Sequence, residues 1–349
     1  MDNFEYNNFI VNSIFGKPVE RQERKTKGPD PAYKGGIQLV AKEKSTMTKD
    51  DIAKRLIKND SLFSKIHVIQ QQFDILPSEK EHIGACIKYQ DLAEMRAEFI
   101  HELVDSVLDW VYSTEKYKKM ISAIVTTGKS EAGANSELLR KAHQKFRTGD
   151  DSQLLIQGQL GELLLFHFIQ RCFRAVPILR KMTVLTSSDH ERFGADAIHY
   201  KVDSEKNIII LGEAKTYVSS YQFNTAFARA LDSILDTYKK HKDEINLYVH
   251  EDFLDDEMNK VAESYLNGTL DKTEVHLVSI IIYNETQKLK ITNQEDILAQ
   301  IEQIIAKRFS GFDKSKIDLE QNPILKRITY IAFPIWDLEQ LAKEFQNLI

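Results

Sequence analysis

The sequence predicts an α/β fold in which helices flank a mixed β-sheet, with a mainly helical N-terminal region. Three observations support this prediction. Helical and strand-like segments alternate after residue 150, which is the pattern of a layered α/β domain. The run at 208–211 is continuously apolar, as expected of a strand that is covered on both faces. The segment 91–112 places its apolar side chains at helical spacing.

The first half of the chain is predicted to be mostly helical. Residues 16–47 combine basic residues with prolines and glycines, and we interpret them as an exposed loop or, alternatively, as a contact for nucleic acid or a partner. Thr48 is the predicted N-cap of a short helix that extends to Asn59. Then follow a strand-like run at 63–75, the helix at 91–112, a helix at about 115–125 and a small-residue linker at 130–135.

The second half is predicted to alternate helices with strands. Helices are expected at about 151–174, 221–242, 255–266, 294–308 and 337–347, and strands at 181–186, 195–200, 206–215, 275–283 and 328–333. We divide the chain into an N-terminal region, 1–90, and a domain at 91–349 that carries the chemistry within 150–245. The first region is assigned to partner contact or regulation from its position alone.

Composition favours a globular protein and argues against a zinc-binding or membrane-spanning one. With 349 residues, 42% hydrophobic and 28% charged, the chain can bury a large core without disulfides or structural metals. Its two cysteines, Cys86 and Cys172, lack zinc-ligand spacing. No apolar run approaches the roughly 20 residues of a membrane span, and we expect a cytoplasmic protein. The net charge of −5 argues against a protein that coats nucleic acid through bulk charge, although a separate basic stripe could hold it.

The strand predicted at 206–215 ends in Gly212-Glu213-Ala214-Lys215. Because side chains alternate along a strand, Glu213 and Lys215 share one face and Ala214 lies on the other. A carboxylate and an ammonium at the end of a buried strand are costly without a partner or a function. Taken alone, so short a motif is better explained by an ion pair that is exposed where the strand ends.

The preceding strand supplies a second carboxylate. Asp196 lies 17 residues before Glu213, and the polar hairpin at 201–206 would place their strands side by side. The two acids then lie at the same end of the sheet, where they repel each other unless a cation lies between them. Magnesium binds one or two carboxylates together with water and phosphate oxygens. By itself, Asp196 is equally well explained as a turn residue.

A third carboxylate lies in the apolar helix at about 151–174. Glu162 follows Gly161, which allows another backbone to approach closely. This helix is apolar on nearly all sides and should be buried, so a glutamate within it needs a partner. The alternative is that Glu162 faces the surface of a mostly buried helix.

This arrangement resembles the PD-(D/E)xK phosphodiesterase superfamily, whose restriction-endonuclease-like core pairs the Glu-x-Lys strand with the strand that carries the aspartate. The resemblance implies a metal-dependent nuclease in which Asp196 and Glu213 ligate Mg²⁺, or Mn²⁺ as a substitute, with the Ala214 carbonyl as a further ligand. Glu162 would act directly or through a metal-bound water. Lys215 would orient the attacking water and stabilise charge on the phosphoryl oxygens. The proline of the family name is absent before Asp196.

Related nucleases often place a polar residue near the phosphate on the helix that follows the Glu-x-Lys strand. Gln222 is our choice for this substrate contact, with Arg229 as a second candidate. Either residue could equally cap the helix or lie on the surface. His190 and His199 flank the aspartate strand without a spaced partner, and we interpret both as non-ligands.

A closer resemblance is to the HamA family, the nuclease subunits of Hachiman antiphage defence systems. It rests on the Gly-Glu-Leu segment at 161–163, the turn at 193–197 and the strand end at 210–215, together with the chain length and the helical first half. The resemblance implies DNA as the substrate. It also implies a partner, the superfamily 2 helicase HamB, which restrains the nuclease until abnormal DNA is sensed.

Two other interpretations stay open at this stage. The chain could be an adaptor or regulatory subunit with a degenerate nuclease core, which its intact acidic residues and lysine disfavour. It could also cleave RNA, although no RNP-like aromatic motif favours that substrate.

Overall fold

A mixed sheet flanked by helices confirms the predicted α/β class. The computed structural model describes residues 47–145, 152–179, 194–218, 223–249, 256–290 and 292–349. The helices within these ranges are α1 (Lys49–Arg55), α2 (Asp60–Ser64), α3 (Arg96–Asp105), α4 (Val107–Val111), α5 (Thr114–Thr126), α6 (Glu131–Gln144), α7 (Ser152–Phe173), α8 (Phe223–Val249), α9 (Asp256–Leu266), α10 (Gln294–Ser310) and α11 (Leu338–Leu348). The strands are β1 (Ile66–Gln71), β2 (His82–Ile87), β3 (Tyr89–Gln90), β4 (Ala93–Glu94), β5 (Val176–Leu179), β6 (Ala197–Asp203), β7 (Lys206–Tyr217), β8 (Thr273–Asn284) and β9 (Ile328–Ile335).

Seven strands of the described chain form one sheet in the order β1-β2-β9-β8-β7-β6-β5. The four inner strands β2, β9, β8 and β7 run parallel to one another. Antiparallel pairs lie at both edges: β1 pairs with β2 at one edge, and at the other edge β6 pairs with β7 and β5 pairs with β6. The inner strands are buried on both faces, as the continuous apolar run in β7 predicts.

The two faces of the sheet contribute to separate apolar cores. Ile208 and Ile210 of β7 face a core shared with α7, α3 and α11, whereas Ile209 and Leu211 face a core shared with α8, α9 and α10. This alternation follows from the period of two along a strand. No helix in the described part of the chain combines the length and apolar character that a membrane crossing requires.

Most of the predicted elements are present, and three differ. The helix predicted at 91–112 begins only at Arg96, because Asp91 and Leu92 have positive φ in the turn of the β3–β4 hairpin, and it is divided at Ser106 into α3 and α4. The strand-like run at 63–75 divides into the end of α2 and the strand β1. The linker predicted at 130–135 is wrong, because these residues begin α6. There the Ser130 hydroxyl accepts a hydrogen bond from the Gly133 N–H at 3.2 Å, and Ala134 packs in the core. The strands β2, β3, β4 and β5 are additions to the prediction, and the run at 181–186 lies outside the described residues.

The sheet extends across the boundary predicted at residue 90, because β1 and β2 are two of its strands. Thr48 caps α1 as predicted: its hydroxyl accepts from the Asp51 N–H at 3.2 Å, and the Asp51 carboxylate accepts from the Thr48 N–H at 3.1 Å. The basic segment before it lies mostly outside the described residues. Its contact with a partner or nucleic acid stays a prediction.

Candidate active site

The antiparallel pairing of β6 with β7 brings Asp196 to the end of the Glu-x-Lys strand. Ala197 lies opposite Gly212, and the Asp196 N–H donates to the Gly212 carbonyl at 3.1 Å. The Asp196 carboxylate accepts a hydrogen bond from the Ala214 N–H at 2.9 Å. The aspartate side chain is therefore held beside the main chain between Glu213 and Lys215.

The two faces of β7 separate its charged side chains from its small ones, as the alternation predicts. A Cβ atom added at Gly161 of α7 would lie 3.3 Å from the Ala214 Cβ and 2.5 Å from the Thr216 Oγ1. Ala214 therefore faces α7. Glu213 points to the opposite face, where the Ser233 hydroxyl of α8 donates to it.

Glu213 is buried, with 3% of its surface exposed. Its Oε1 accepts from the Lys215 Nζ and from the Ser233 Oγ, each at 2.6 Å. Its Oε2 accepts from the Thr237 Oγ1 at the longer distance of 3.4 Å. One carboxylate oxygen is thus engaged by two donors, and the other receives a single weak contact.

The electrostatics of this end of the sheet favour a cation. Burial, followed by the charge of Asp196, raises the pKa of Glu213 from 4.5 to about 7, against the opposing influence of Lys215 and Ser233. Burial alone would lower the pKa of Lys215, but Glu213 and Asp196 together raise it above its ordinary value. The Lys215 ammonium therefore interacts electrostatically with both carboxylates, and the two carboxylates repel each other when both are ionised.

Glu162 lies in the helix layer on the other side of the sheet. It is half-buried on α7, next to Gly161, which contacts the Ala214 face of β7. The described residues contain no group of three or more His, Cys, Asp or Glu side chains placed to hold a metal ion. The structure therefore brings together Asp196, Glu213 and Lys215, and it places Glu162 in a different layer.

The predicted substrate contacts divide between described and undescribed residues. Arg229 is exposed on α8 and donates to the Tyr217 hydroxyl at 3.0 Å, two residues along β7 from Lys215. Gln222 and His190 lie outside the described residues. His199 is buried against Phe166 of α7, with ring centroids 5.6 Å apart.

Sequence reasoning missed three polar residues of α8. Ser233 and Thr237 contact Glu213, and the Glu244 carboxylate accepts from the Ala195 N–H at 2.8 Å, next to Asp196. Their spacing of four and seven residues on an amphipathic helix was an available signal. The predicted helix ended near residue 242, which left Glu244 outside it.

The chemistry of the donors fits a hard divalent cation. Two carboxylates and a nearby main-chain carbonyl are oxygen donors of the kind that Mg²⁺ and Mn²⁺ take, and Mg²⁺ commonly uses only one or two carboxylates with water in the other positions. Asp196 and Glu213 supply this number at one sheet end. Burial of Glu213 beside another carboxylate is the arrangement that a bound cation would stabilise.

Comparison with protein families gives a match over most of the chain. The HamA family model matches residues 60–349. The chain belongs to the HamA family. HamA proteins are components of Hachiman antiphage defence, and the match includes Glu162, Asp196, Glu213 and Lys215. It also extends far beyond 150–245, so the family covers β1, β2 and the C-terminal helices as well. A comparison with curated proteins finds no match.

Proposed function

We propose that this HamA-family protein is a metal-dependent DNA nuclease of the PD-(D/E)xK type, which hydrolyses phosphodiester bonds during antiphage defence. One observation carries the proposal. Glu213 is buried beside Asp196 at the end of β7, in contact with the Lys215 ammonium. Such an arrangement is costly for the fold and suited to a cation and a phosphate.

The cation would be held by the Asp196 and Glu213 carboxylates and by the Ala214 carbonyl. When bound, Mg²⁺ or Mn²⁺ supplies a nucleophile at neutral pH and offsets charge on the phosphoryl group. The Ala214 N–H fixes Asp196 from the main chain, which limits the movement of that carboxylate. The Ser233 hydroxyl does the same for Glu213.

Lys215 is the charged group that would meet the phosphate. Its side chain is 28% exposed, while that of Glu213 is 4% exposed, so the ammonium lies on the solvent side of the pair. From there it would orient the attacking water and stabilise negative charge on the phosphoryl oxygens. Glu162 would act directly or through a water, and Gln222 and Arg229 would contact the substrate backbone.

Membership of the HamA family supports a second protein in this function. We assign that partner to the superfamily 2 helicase HamB, which would hold the nuclease inactive until it meets abnormal DNA. The net charge of −5 is consistent with a nuclease that depends on a partner to retain DNA.

Degradation assays with linear and circular DNA test the proposal. The purified protein, alone and with its neighbouring helicase, is incubated with each DNA in Mg²⁺ or in EDTA. We expect degradation by the wild-type protein in Mg²⁺ only, and none by Asp196→Ala or Glu213→Ala. Degradation of circular DNA would show cleavage within the strand, and a parallel RNA substrate separates a DNA nuclease from an RNA nuclease.

A metal titration separates the enzyme from an adaptor with a degenerate site. An enzyme should bind Mg²⁺ or Mn²⁺ with an affinity that Asp196→Ala and Glu213→Ala reduce, because both carboxylates contribute to the site. An adaptor should show no affinity that depends on these carboxylates. Wild-type affinity in both variants would therefore contradict the proposed function.

A further inference from the structure

The side of α8 that packs on the sheet carries polar side chains within an apolar core. Ser233, Thr237 and Glu244 recur at intervals of four and seven residues, so they lie along one side of the helix. Thr237 and Glu244 are buried and Ser233 is half-buried. We call these three residues the polar line of α8. Polar groups in such a place cost free energy unless they are hydrogen-bonded.

At the N-terminal end of the polar line, Ser233 and Thr237 contact the Glu213 carboxylate. The Ser233 Oγ donates to Glu213 Oε1 at 2.6 Å, and the Thr237 Oγ1 lies 3.4 Å from Oε2. The two hydroxyls are one helical turn apart and meet different oxygens of the same carboxylate. Together they restrict rotation of the Glu213 carboxylate about its last bond.

At the C-terminal end of the polar line, Glu244 contacts the turn that carries Asp196. A Glu244 oxygen accepts from the Ala195 N–H at 2.8 Å. The approach is close: a Cβ atom at Gly194 would lie 2.3 Å from the Glu244 Oε1, and Gly194 has a φ of +154°. A side chain at position 194 would displace Glu244. The glycine therefore allows the Glu244 carboxylate to reach the Ala195 N–H.

We infer that the polar line of α8 is the positioning element that holds the Asp196 and Glu213 carboxylates at the separation a divalent cation needs. This inference rests on the proposed function. The two carboxylates repel each other and belong to different segments of the chain. The single 27-residue helix α8 contacts the Glu213 carboxylate and, through Glu244, the main-chain N–H of Ala195 next to Asp196. A rigid support of this kind keeps both ligands in place before the cation arrives, which reduces the cost of binding.

A purely structural role for the polar line would have a different signature. Its hydroxyls and carboxylate would then affect folding, with no particular effect on metal affinity. Ser279 provides the matched comparison. It lies opposite Glu213 in the β7–β8 register and is buried, but its Oγ has no hydrogen-bond partner within the described residues.

Isothermal titration calorimetry with Mg²⁺ on the full-length protein tests the inference. Ser233→Ala and Glu244→Ala are each expected to weaken Mg²⁺ binding by about tenfold or more, the usual effect of removing a partner that orients a metal ligand. Ser279→Ala is expected to bind as the wild type does. Ser233→Thr and Glu244→Gln keep a hydroxyl and a carbonyl acceptor, and both should restore most of the affinity.

Activity gives a second readout that does not depend on folding stability. In Ser233→Ala, the Mg²⁺ concentration for half-maximal DNA degradation should rise about tenfold, while the rate at saturating Mg²⁺ falls much less. A loss of affinity that follows the melting temperature across all variants, or equal effects of Ser233→Ala and Ser279→Ala, would overturn the inference. Wild-type affinity in Glu213→Ala would overturn the proposed function with it, whereas wild-type affinity in Ser233→Ala and Glu244→Ala alone would overturn only the inference.

Discussion

Two buried glutamates lie at the ends of neighbouring parallel strands, and their surroundings differ. Glu285 follows β8 and is 2% exposed; Glu213 lies on β7 and is 3% exposed. Glu285 accepts from the Arg308 Nε at 2.9 Å and Nη2 at 2.5 Å, and from the Thr286 and Gln287 N–H groups at 2.8 Å each. Its Oε1 therefore accepts from three donors, and its Oε2 accepts from the Arg308 Nε at a normal hydrogen-bond distance.

Glu213 is paired with a lysine instead of an arginine, and a second carboxylate, that of Asp196, lies near it. It has one ammonium partner and two hydroxyls, and burial, followed by the charge of Asp196, raises its pKa. A forked arginine binds both oxygens of a buried carboxylate, whereas the Lys215 ammonium binds only one oxygen of Glu213. The comparison separates a structural ion pair at Glu285 from the Glu213 carboxylate, which we propose as a metal ligand.

The largest effect on stability is expected from breaking the structural pair. Arg308→Ala would leave Glu285 buried without its partner and should lower the free energy of unfolding by about 3–5 kcal/mol. Lys215→Ala should cost only about 1 kcal/mol, because Glu213 can take up a proton when its ammonium is lost. Urea denaturation measures both, with Lys343→Ala at the exposed pair to Glu339 as the control. Equal losses in Arg308→Ala and Lys215→Ala would remove the distinction between the two glutamates.

The next effect is a pH dependence at Glu213. Burial and Asp196 raise its pKa from 4.5 to about 7, so between these values the folded, metal-free protein binds more protons at this carboxyl than the unfolded chain does. Stability therefore falls as pH rises through this window. Glu213→Gln removes that loss, and its stability relative to the wild type should increase by up to roughly 3 kcal/mol between pH 4.5 and pH 8.

Urea denaturation in EDTA at several pH values measures this difference. Saturating Mg²⁺ serves as the control, since a cation that binds the ionised carboxylate should stabilise the wild type more as pH rises. A difference between Glu213→Gln and wild type that stays constant with pH would show that Glu213 has an ordinary pKa.

The smallest effect concerns the other face of β7, where Gly161 of α7 packs closely against Ala214 and Thr216. Gly161→Ala places a methyl group 2.5 Å from the Thr216 Oγ1 and should destabilise the protein by about 1–2 kcal/mol. Gly158→Ala on the same helix meets nothing within 4 Å and should stabilise it by roughly 0.5–1 kcal/mol. Thermal denaturation compares the two variants. Equal stabilisation by both would contradict the close packing of α7 on this strand.

The positions of Asp196, Glu213 and Lys215 could be predicted because they depend on local rules. Alternation along one strand places Glu213 beside Lys215, and a short hairpin aligns Asp196 with both. The strand β2 was missed because Gly84 and Cys86 interrupt any regular pattern, and β5 because it has four residues and contains Pro177.

The polar line of α8 required knowledge of tertiary packing. Helical spacing shows that Ser233, Thr237 and Glu244 share one side of α8, but it does not show which strand that side covers. The same limit applies to Glu162, whose layer depends on how α7 packs against Ala214. Small residues at 130–135 were misassigned because a helix N-cap and a linker draw on the same residue types.

DNA degradation by purified Lys215→Ala protein, with the helicase partner and Mg²⁺ present, tests the proposed site most directly. Loss of the ammonium at the solvent side of Glu213 is expected to abolish degradation, while the protein remains folded and Lys343→Ala retains wild-type activity. Full activity of Lys215→Ala would contradict a nuclease site formed by Asp196, Glu213 and Lys215.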